Sequence, residues 1–65
     1  MLAPDEIEVR IRVSDWWRLP DDIRQEMQSC NFGDWMLVPK NGILTLQFAR
    51  SHWEHFEEEL RRVGA

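Results

Sequence analysis

The first regular pattern along the chain is a strict alternation of apolar and charged residues in EIEVRIRV, residues 6–13. Ile7, Val9, Ile11 and Val13 fall on one face, and charged side chains fill the other. A period of two over this length predicts a β-strand with one buried face. A single buried face favours an antiparallel or mixed sheet over a parallel sheet covered on both sides.

A helical period follows in residues 14–33. The apolar positions that share one face at helical spacing are Leu19, Ile23, Met27 and Cys30. Pro20 suits the first turn of a helix, where its missing N–H costs nothing. Asp21 and Asp22 come next, and carboxylates are favourable at the positive end of the helix dipole. The segment therefore predicts an amphipathic helix that begins near Pro20.

Residues 35–48, WMLVPKNGILTLQF, predict a β-hairpin. Asn41-Gly42 is the favoured pair for a two-residue type I′ turn, which sets Lys40 opposite Ile43. Continued along both strands, this register pairs Trp35 with Phe48, Leu37 with Leu46, and Pro39 with Leu44. Pro39 donates no hydrogen bond, so its strand is expected at the edge of the sheet.

The chain closes with SHWEHFEEELRRVGA, residues 51–65, which has the period of a second helix. Ser51 and Glu54 have the spacing of a capping box. The inward stripe consists of Trp53, Phe56, Leu60 and Val63. Arg61 and Arg62 fall in the last turn, where positive charge is favourable.

The order of elements is thus β-α-β-β-α, which predicts one small α+β domain over residues 1–65. We expect a two-layer sandwich, with two helices packed on one face of a three-stranded, mostly antiparallel sheet. A right-handed crossover with the last strand inserted between the other two gives the strand order 2-3-1. The order 1-2-3, with the first two strands parallel, stays open as an alternative.

Trp16 and Trp17 are adjacent, and no regular element easily buries both, because neighbours on a helix lie about 100° apart. A separate turn over residues 14–18 that leads into the helix would place Trp16 on the inward stripe. We therefore expect Trp16 inside and Trp17 outside. Trp17 then either covers the open end of a thin core or anchors a protein interface, where tryptophan is enriched.

Composition narrows the class of function. The chain has 65 residues, a net charge of −4 and one cysteine. A lone thiol excludes an internal disulfide and fits a reducing compartment, and the N-terminus is too polar for a signal peptide, so we expect a cytoplasmic protein. The negative charge argues against direct nucleic-acid binding and against anionic membranes. It permits binding to a basic protein surface.

Candidate chemistry is sparse. His52, His55 and Glu59 follow one flank of the last helix, but no further metal ligand is evident in the sequence. Cys30 lies on the inward stripe of the first helix, where a thiol behaves as a small hydrophobe. We therefore expect neither an enzyme nor a metal or cofactor site.

Acidic residues offer the stronger functional pattern. The candidate partner-binding residues are Asp15, Trp17, Asp21, Asp22, Glu26, Glu54, Glu57 and Glu58. A helical layer carrying these carboxylates is expected to occupy the basic groove of a nucleic-acid-handling complex and to inhibit it by mimicry of nucleic acid. By kind, such a protein resembles small phage-encoded inhibitors of host defence, of which anti-CRISPR proteins are one class. The resemblance includes no shared motif, so it assigns no residue.

Two other functions stay open. A dimeric regulatory or antitoxin-like protein could present Arg10 and Arg12 on an open sheet face to nucleic acid. An accessory subunit of an enzyme complex could be held through that same face, which also carries Met36, Val38 and Ile43. Because a core of this size gives only marginal stability, formation of a homodimer would stabilise the folded chain.

Overall fold

The computed structural model describes residues 4–34 and 36–64. Within these ranges the chain forms a small α+β domain with the following elements: β1 (Glu6–Arg12), α1 (Val13–Trp16), α2 (Asp21–Cys30), β2 (Ile43–Ala49) and α3 (Arg50–Arg62). Across the described residues, no helix combines the length and apolarity needed to cross a membrane.

The sheet of the described residues has two strands, so the predicted three-stranded sheet of order 2-3-1 is wrong. One part of that prediction is confirmed: the first and last strands pair antiparallel. The register sets Val9 opposite Leu46, and Ile11 opposite Leu44. Apolar residues of both strands therefore meet on one face, as the alternation in β1 predicts.

The predicted middle strand fails because the segment before the turn does not run beside β2. Asn31 and Phe32, just after α2, take that place instead: the Asn31 Oδ1 accepts from the Gln47 N–H at 2.8 Å, and the Phe32 N–H donates to the Gln47 carbonyl at 2.7 Å. Eight residues later, Lys40 rejoins β2 at Ile43. Over the same interval β2 advances by only four residues, from Gln47 to Ile43. The longer segment therefore cannot run beside β2 as a paired strand.

The predicted strand pairs are therefore absent from this segment. Leu37 does not pair with Leu46, nor Pro39 with Leu44. The Val38 N–H instead donates to the Met36 carbonyl at 2.9 Å, the pattern of a tight γ-turn. Trp35, which was predicted to pair with Phe48, lies outside the described residues.

The predicted turn at Asn41-Gly42 is confirmed. Asn41 has a φ of 53° and Gly42 a φ of 75°, as a type I′ turn requires at both central positions. Lys40 and Ile43 exchange hydrogen bonds of 2.9 and 3.0 Å across it. The Gly42 carbonyl also accepts from the Val13 N–H at 2.9 Å, which ties the turn to the end of β1.

We expect Gly42→Ala to lower the free energy of unfolding by about 1–2 kcal/mol, since a Cβ penalises the left-handed conformation. No atom lies within 4 Å of the added Cβ, so the loss would come from the backbone alone. Urea unfolding followed by circular dichroism measures it. Asn41→Gly, at the neighbouring position of the same turn, is the matched control and should change stability by only a few tenths of a kcal/mol. Equal losses in the two variants would contradict this explanation.

The core lies between the inner face of the sheet and the helices. Its buried residues are Val9, Ile11, Trp16, Leu19, Met27, Leu44, Leu46, Phe48, Phe56 and Leu60. Partly buried Ile23, Cys30, Trp53 and Val63 pack against them, so both predicted helical stripes face inward. No polar or charged residue among those described is buried.

The start of α3 differs from the prediction. The helix begins at Arg50, with Ala49 as its N-cap and no side-chain cap hydrogen bond, so the predicted Ser51–Glu54 capping box is wrong. The strand passes directly into the helix at this point, which moves the first turn ahead of Ser51. Arg61 and Arg62 lie in the last turn, as predicted.

Candidate partner-binding surface

The short helix α1 ends at Trp16, and Trp17 is its C-cap. Trp16 is 4% exposed and belongs to the core, whereas Trp17 is 66% exposed. The Trp17 N–H donates to the Val13 carbonyl at 3.1 Å, and the Leu19 N–H donates to the Trp16 carbonyl at 3.2 Å. These bonds close a compact turn that fixes which ring points inward, and they confirm the prediction.

Trp17 is exposed, yet its position is fixed by Arg24 of α2. The Arg24 guanidinium lies 4.7 Å from the centre of the indole ring, within cation–π range. Its Nη1 is also 3.5 Å from the Trp17 carbonyl oxygen, and its Nη2 pairs with the Asp21 carboxylate. The Arg24 side chain is only 17% exposed. Trp17 therefore presents one ring face to solvent while the other rests on a charged group held in place.

A shallow cavity of about 130 Å³ adjoins this ring. Its lining consists of Trp16, Trp17, Asp21, Arg24, Gln25 and Gln28. The amides of Gln25 and Gln28 offer both donors and acceptors. The surface thus combines the exposed Trp17 ring with a carboxylate, a guanidinium and two amides of α2.

Asp15, a predicted contact residue, is held within the protein instead. Its carboxylate lies 3.4 Å from the Arg12 Nε and 3.6 Å from the Arg18 Nη1, and its side chain is 13% exposed. Two cations already compensate its charge. Asp15 is therefore placed to fix the end of β1 to α1 rather than to attract a partner.

Asp22 and Glu26 are the open carboxylates of α2. Both are exposed, and among the described residues neither forms an ion pair. Their spacing of four residues places them on one face of the helix, next to the face that carries Asp21. The Asp22 Oδ1 accepts from the Ile23 N–H at 3.0 Å, which leaves its other oxygen to solvent.

The carboxylates of α3 are largely matched by arginines of the same helix. Glu57 lies 3.3 Å from Arg61, and Glu58 lies 3.7 Å from Arg62. A glutamate four residues before an arginine stabilises a helix locally. Glu54 is exposed and has no ion pair among the described residues. The predicted acidic line is thus strongest on α2 and partly neutralised on α3.

The remaining candidate side chains are not gathered into a site. The rings of His52 and His55 pack near Phe56, at 6.4 and 5.5 Å between centroids. Glu59 pairs with Arg62 at 3.1 Å. Over residues 4–34 and 36–64 there is no group of three histidine, cysteine or carboxylate side chains that could hold a metal ion.

Arg24 is the residue that sequence reasoning missed. Its spacing of three from Asp21 is a recognisable signal for a helical ion pair. Its contact with Trp17, seven residues earlier, depends on the angle between the α1 turn and α2, which no local pattern specifies.

Comparison of the chain with models of known families, with curated proteins and with solved structures found no match in any of the three.

Proposed function

We propose that this chain is a small acidic binding protein that occupies a basic surface of a larger protein partner. The observation that carries the proposal is Trp17: a large ring, 66% exposed, supported from behind by Arg24. Rigid aromatic anchors contribute strongly to interfaces because they bury much area at little entropic cost.

The charge beside Trp17 selects the kind of partner. Asp22 and Glu26 project two carboxylates that form no ion pair within residues 4–34 and 36–64, and Asp21 is 82% exposed at its side chain. Such a surface attracts lysine and arginine and repels phosphate. A protein groove that normally binds nucleic acid has the complementary charge, so inhibition of a nucleic-acid-handling complex is the function that we infer.

Direct binding of nucleic acid through the open sheet face receives less support. Arg10 lies 3.8 Å from Glu8, and Arg12 lies 3.4 Å from Asp15. The positive charge of this face is therefore locally compensated, while phosphate binding needs uncompensated cations.

The proposal is tested by affinity capture from lysate of the cells that produce the chain, with four baits compared side by side. They are the wild type, Trp17→Ala, the double variant Asp22→Asn/Glu26→Gln, and the double variant Glu54→Gln/Glu58→Gln. The last is the matched control, because it removes the same charge at the same spacing from α3. Circular dichroism first verifies that all four are folded.

We expect one protein to be captured by the wild type and by the α3 control, and its yield to fall about tenfold or more with each of the other two baits. Excess duplex DNA should release it, since both would occupy the same groove. Equal capture by all four baits would refute the proposed surface. Capture that the α3 variant abolishes and the α2 variant retains would place the function on α3 instead.

A further inference from the structure

The outer edge of β1 has backbone groups that face away from the sheet. In β2, Ile43 bonds with Lys40, and Gln47 bonds with Asn31 and Phe32, so these odd-numbered residues direct their N–H and C=O groups away from β1. Their partners across the ladder are Arg12 and Glu8. Alternation along an antiparallel pair then directs the backbone groups of the even-numbered residues of β1 outward.

This edge is open in the described part of the chain. No further strand pairs with β1, and the sheet ends there. An exposed strand edge is a template for another strand. Beside it, between β1 and α3, lies a groove of about 350 Å³ whose apolar lining residues include Val9, Ile11, Trp53 and Leu60.

We propose that a second copy of this chain pairs with the edge, so that two β1 strands meet antiparallel about a two-fold axis at Val9. The sequence of β1, EIEVRIR, is complementary to itself in this register. Glu8 lies opposite the second copy's Arg10, and Glu6 lies opposite the second copy's Arg12. Ile7 meets Ile11 on the core side, and the two copies of Val9 face each other. The result is a continuous four-stranded antiparallel sheet.

Other registers of the two β1 strands would be less stable than the one centred on Val9. Only even-numbered residues offer outward backbone groups, so a shift by one residue leaves the hydrogen bonds unmade. A shift of the axis to Glu8 sets two glutamates opposite each other, and a shift to Arg10 does the same with two arginines. Like charges directly opposite are destabilising. Centring on Val9 is the register that aligns the full strand with opposite charges throughout.

The dimer is independent of the proposed partner surface, since it uses β1 whereas that surface lies on the α1–α2 turn and on α2. In the dimer, Arg10 and Arg12 remain paired with carboxylates. This agrees with the argument that the open sheet face lacks the uncompensated cations that phosphate binding needs. In the dimer, the grooves between β1 and α3 of the two copies would adjoin each other beside the central pair of β1 strands. Their apolar walls would then be less exposed to solvent.

Sedimentation velocity over a concentration series tests the proposal with the wild type, Glu8→Lys, Arg10→Glu and an equimolar mixture of the two variants. We expect a concentration-dependent dimer for the wild type. Each variant alone would set like charges opposite at both symmetric contacts, raising the dissociation constant on the order of tenfold or more. In the mixture each lysine or arginine again faces a glutamate, so a heterodimer should form. Glu58→Lys, an equal charge change on α3, should behave as the wild type.

Circular dichroism verifies that the variants are folded, and the mixture provides a gain of association that unfolding cannot produce. A wild type that stays monomeric at the highest attainable concentration would overturn the proposal. So would a dimer that both single variants preserve, because the two copies would then meet elsewhere.

Discussion

Trp16→Ala should leave the chain largely unfolded at room temperature, whereas Trp17→Ala should leave it folded. Trp16 is 4% exposed and packs in the core with Leu19. Truncation of a buried tryptophan to alanine costs about 3–5 kcal/mol. A single core in a domain of this size rarely supplies more than about 3–5 kcal/mol in total. The loss is thus comparable with the whole stability.

Trp17→Ala is the matched substitution at the neighbouring position. It removes the contact with Arg24, and an exposed cation–π pair contributes about 0.5–1 kcal/mol. Far-ultraviolet circular dichroism at 25 °C, followed by urea titration of whichever variant is folded, measures the difference. If both substitutions reduced stability equally, the assignment of one ring to the core and one to the surface would be wrong.

Phe56→Ala is the second change expected to abolish the fold. Phe56 is 1% exposed, and its ring lies 5.1 Å from that of Phe48, which is fully buried on β2. This pair joins α3 to the sheet. The removal of a buried phenylalanine costs about 3–5 kcal/mol, and it would also leave Phe48 beside a cavity. We expect loss of cooperative thermal unfolding, measured by circular dichroism.

Phe56→Leu provides the control, because it keeps most of the volume and should retain a cooperative transition at a reduced midpoint. His55→Ala changes the preceding residue, which is exposed, and should cost little. A cooperative transition in Phe56→Ala close to that of the wild type would show that α3 is held by other contacts.

Local patterns predicted those parts of the fold that local physics decides. The alternation in β1, the helical stripe around Met27 and the Asn41-Gly42 turn each specify their own geometry, and all three are present. The antiparallel pairing of β1 and β2 belonged to the preferred one of two predicted strand orders, the one with a right-handed crossover.

Local patterns could not exclude the predicted middle strand, because the apolar pattern before the Asn41-Gly42 turn suits a strand at the edge of a sheet. What decides against it is a long-range competitor. The Asn31 Oδ1 accepts hydrogen bonds from both the Gln47 N–H and the Gly33 N–H, at 2.8 and 3.0 Å. That arrangement, with the Phe32 N–H on the Gln47 carbonyl, satisfies the backbone groups of Gln47 at the β2 edge.

The candidate surface was predicted in part. The outward position of Trp17 followed from the difficulty of burying two adjacent rings on one element and from a turn over residues 14–18 that places Trp16 on the helical stripe. The charge distribution did not follow, because ion pairs depend on which arginine each carboxylate can reach. Asp15 proved to be enclosed by Arg12 and Arg18, whereas Asp22 and Glu26 stayed open to solvent.

The most direct test of the central claim, that Trp17 and the open carboxylates of α2 form one binding surface, is the salt dependence of affinity for the captured partner. Dissociation constants would be measured by isothermal titration calorimetry for the wild type, Trp17→Ala and Asp22→Asn/Glu26→Gln at increasing salt. We predict that wild-type affinity falls with salt, that Trp17→Ala is weaker with an unchanged slope, and that the charge variant is weaker with a shallower slope. A wild-type affinity that is independent of salt and unchanged by Trp17→Ala would contradict the account.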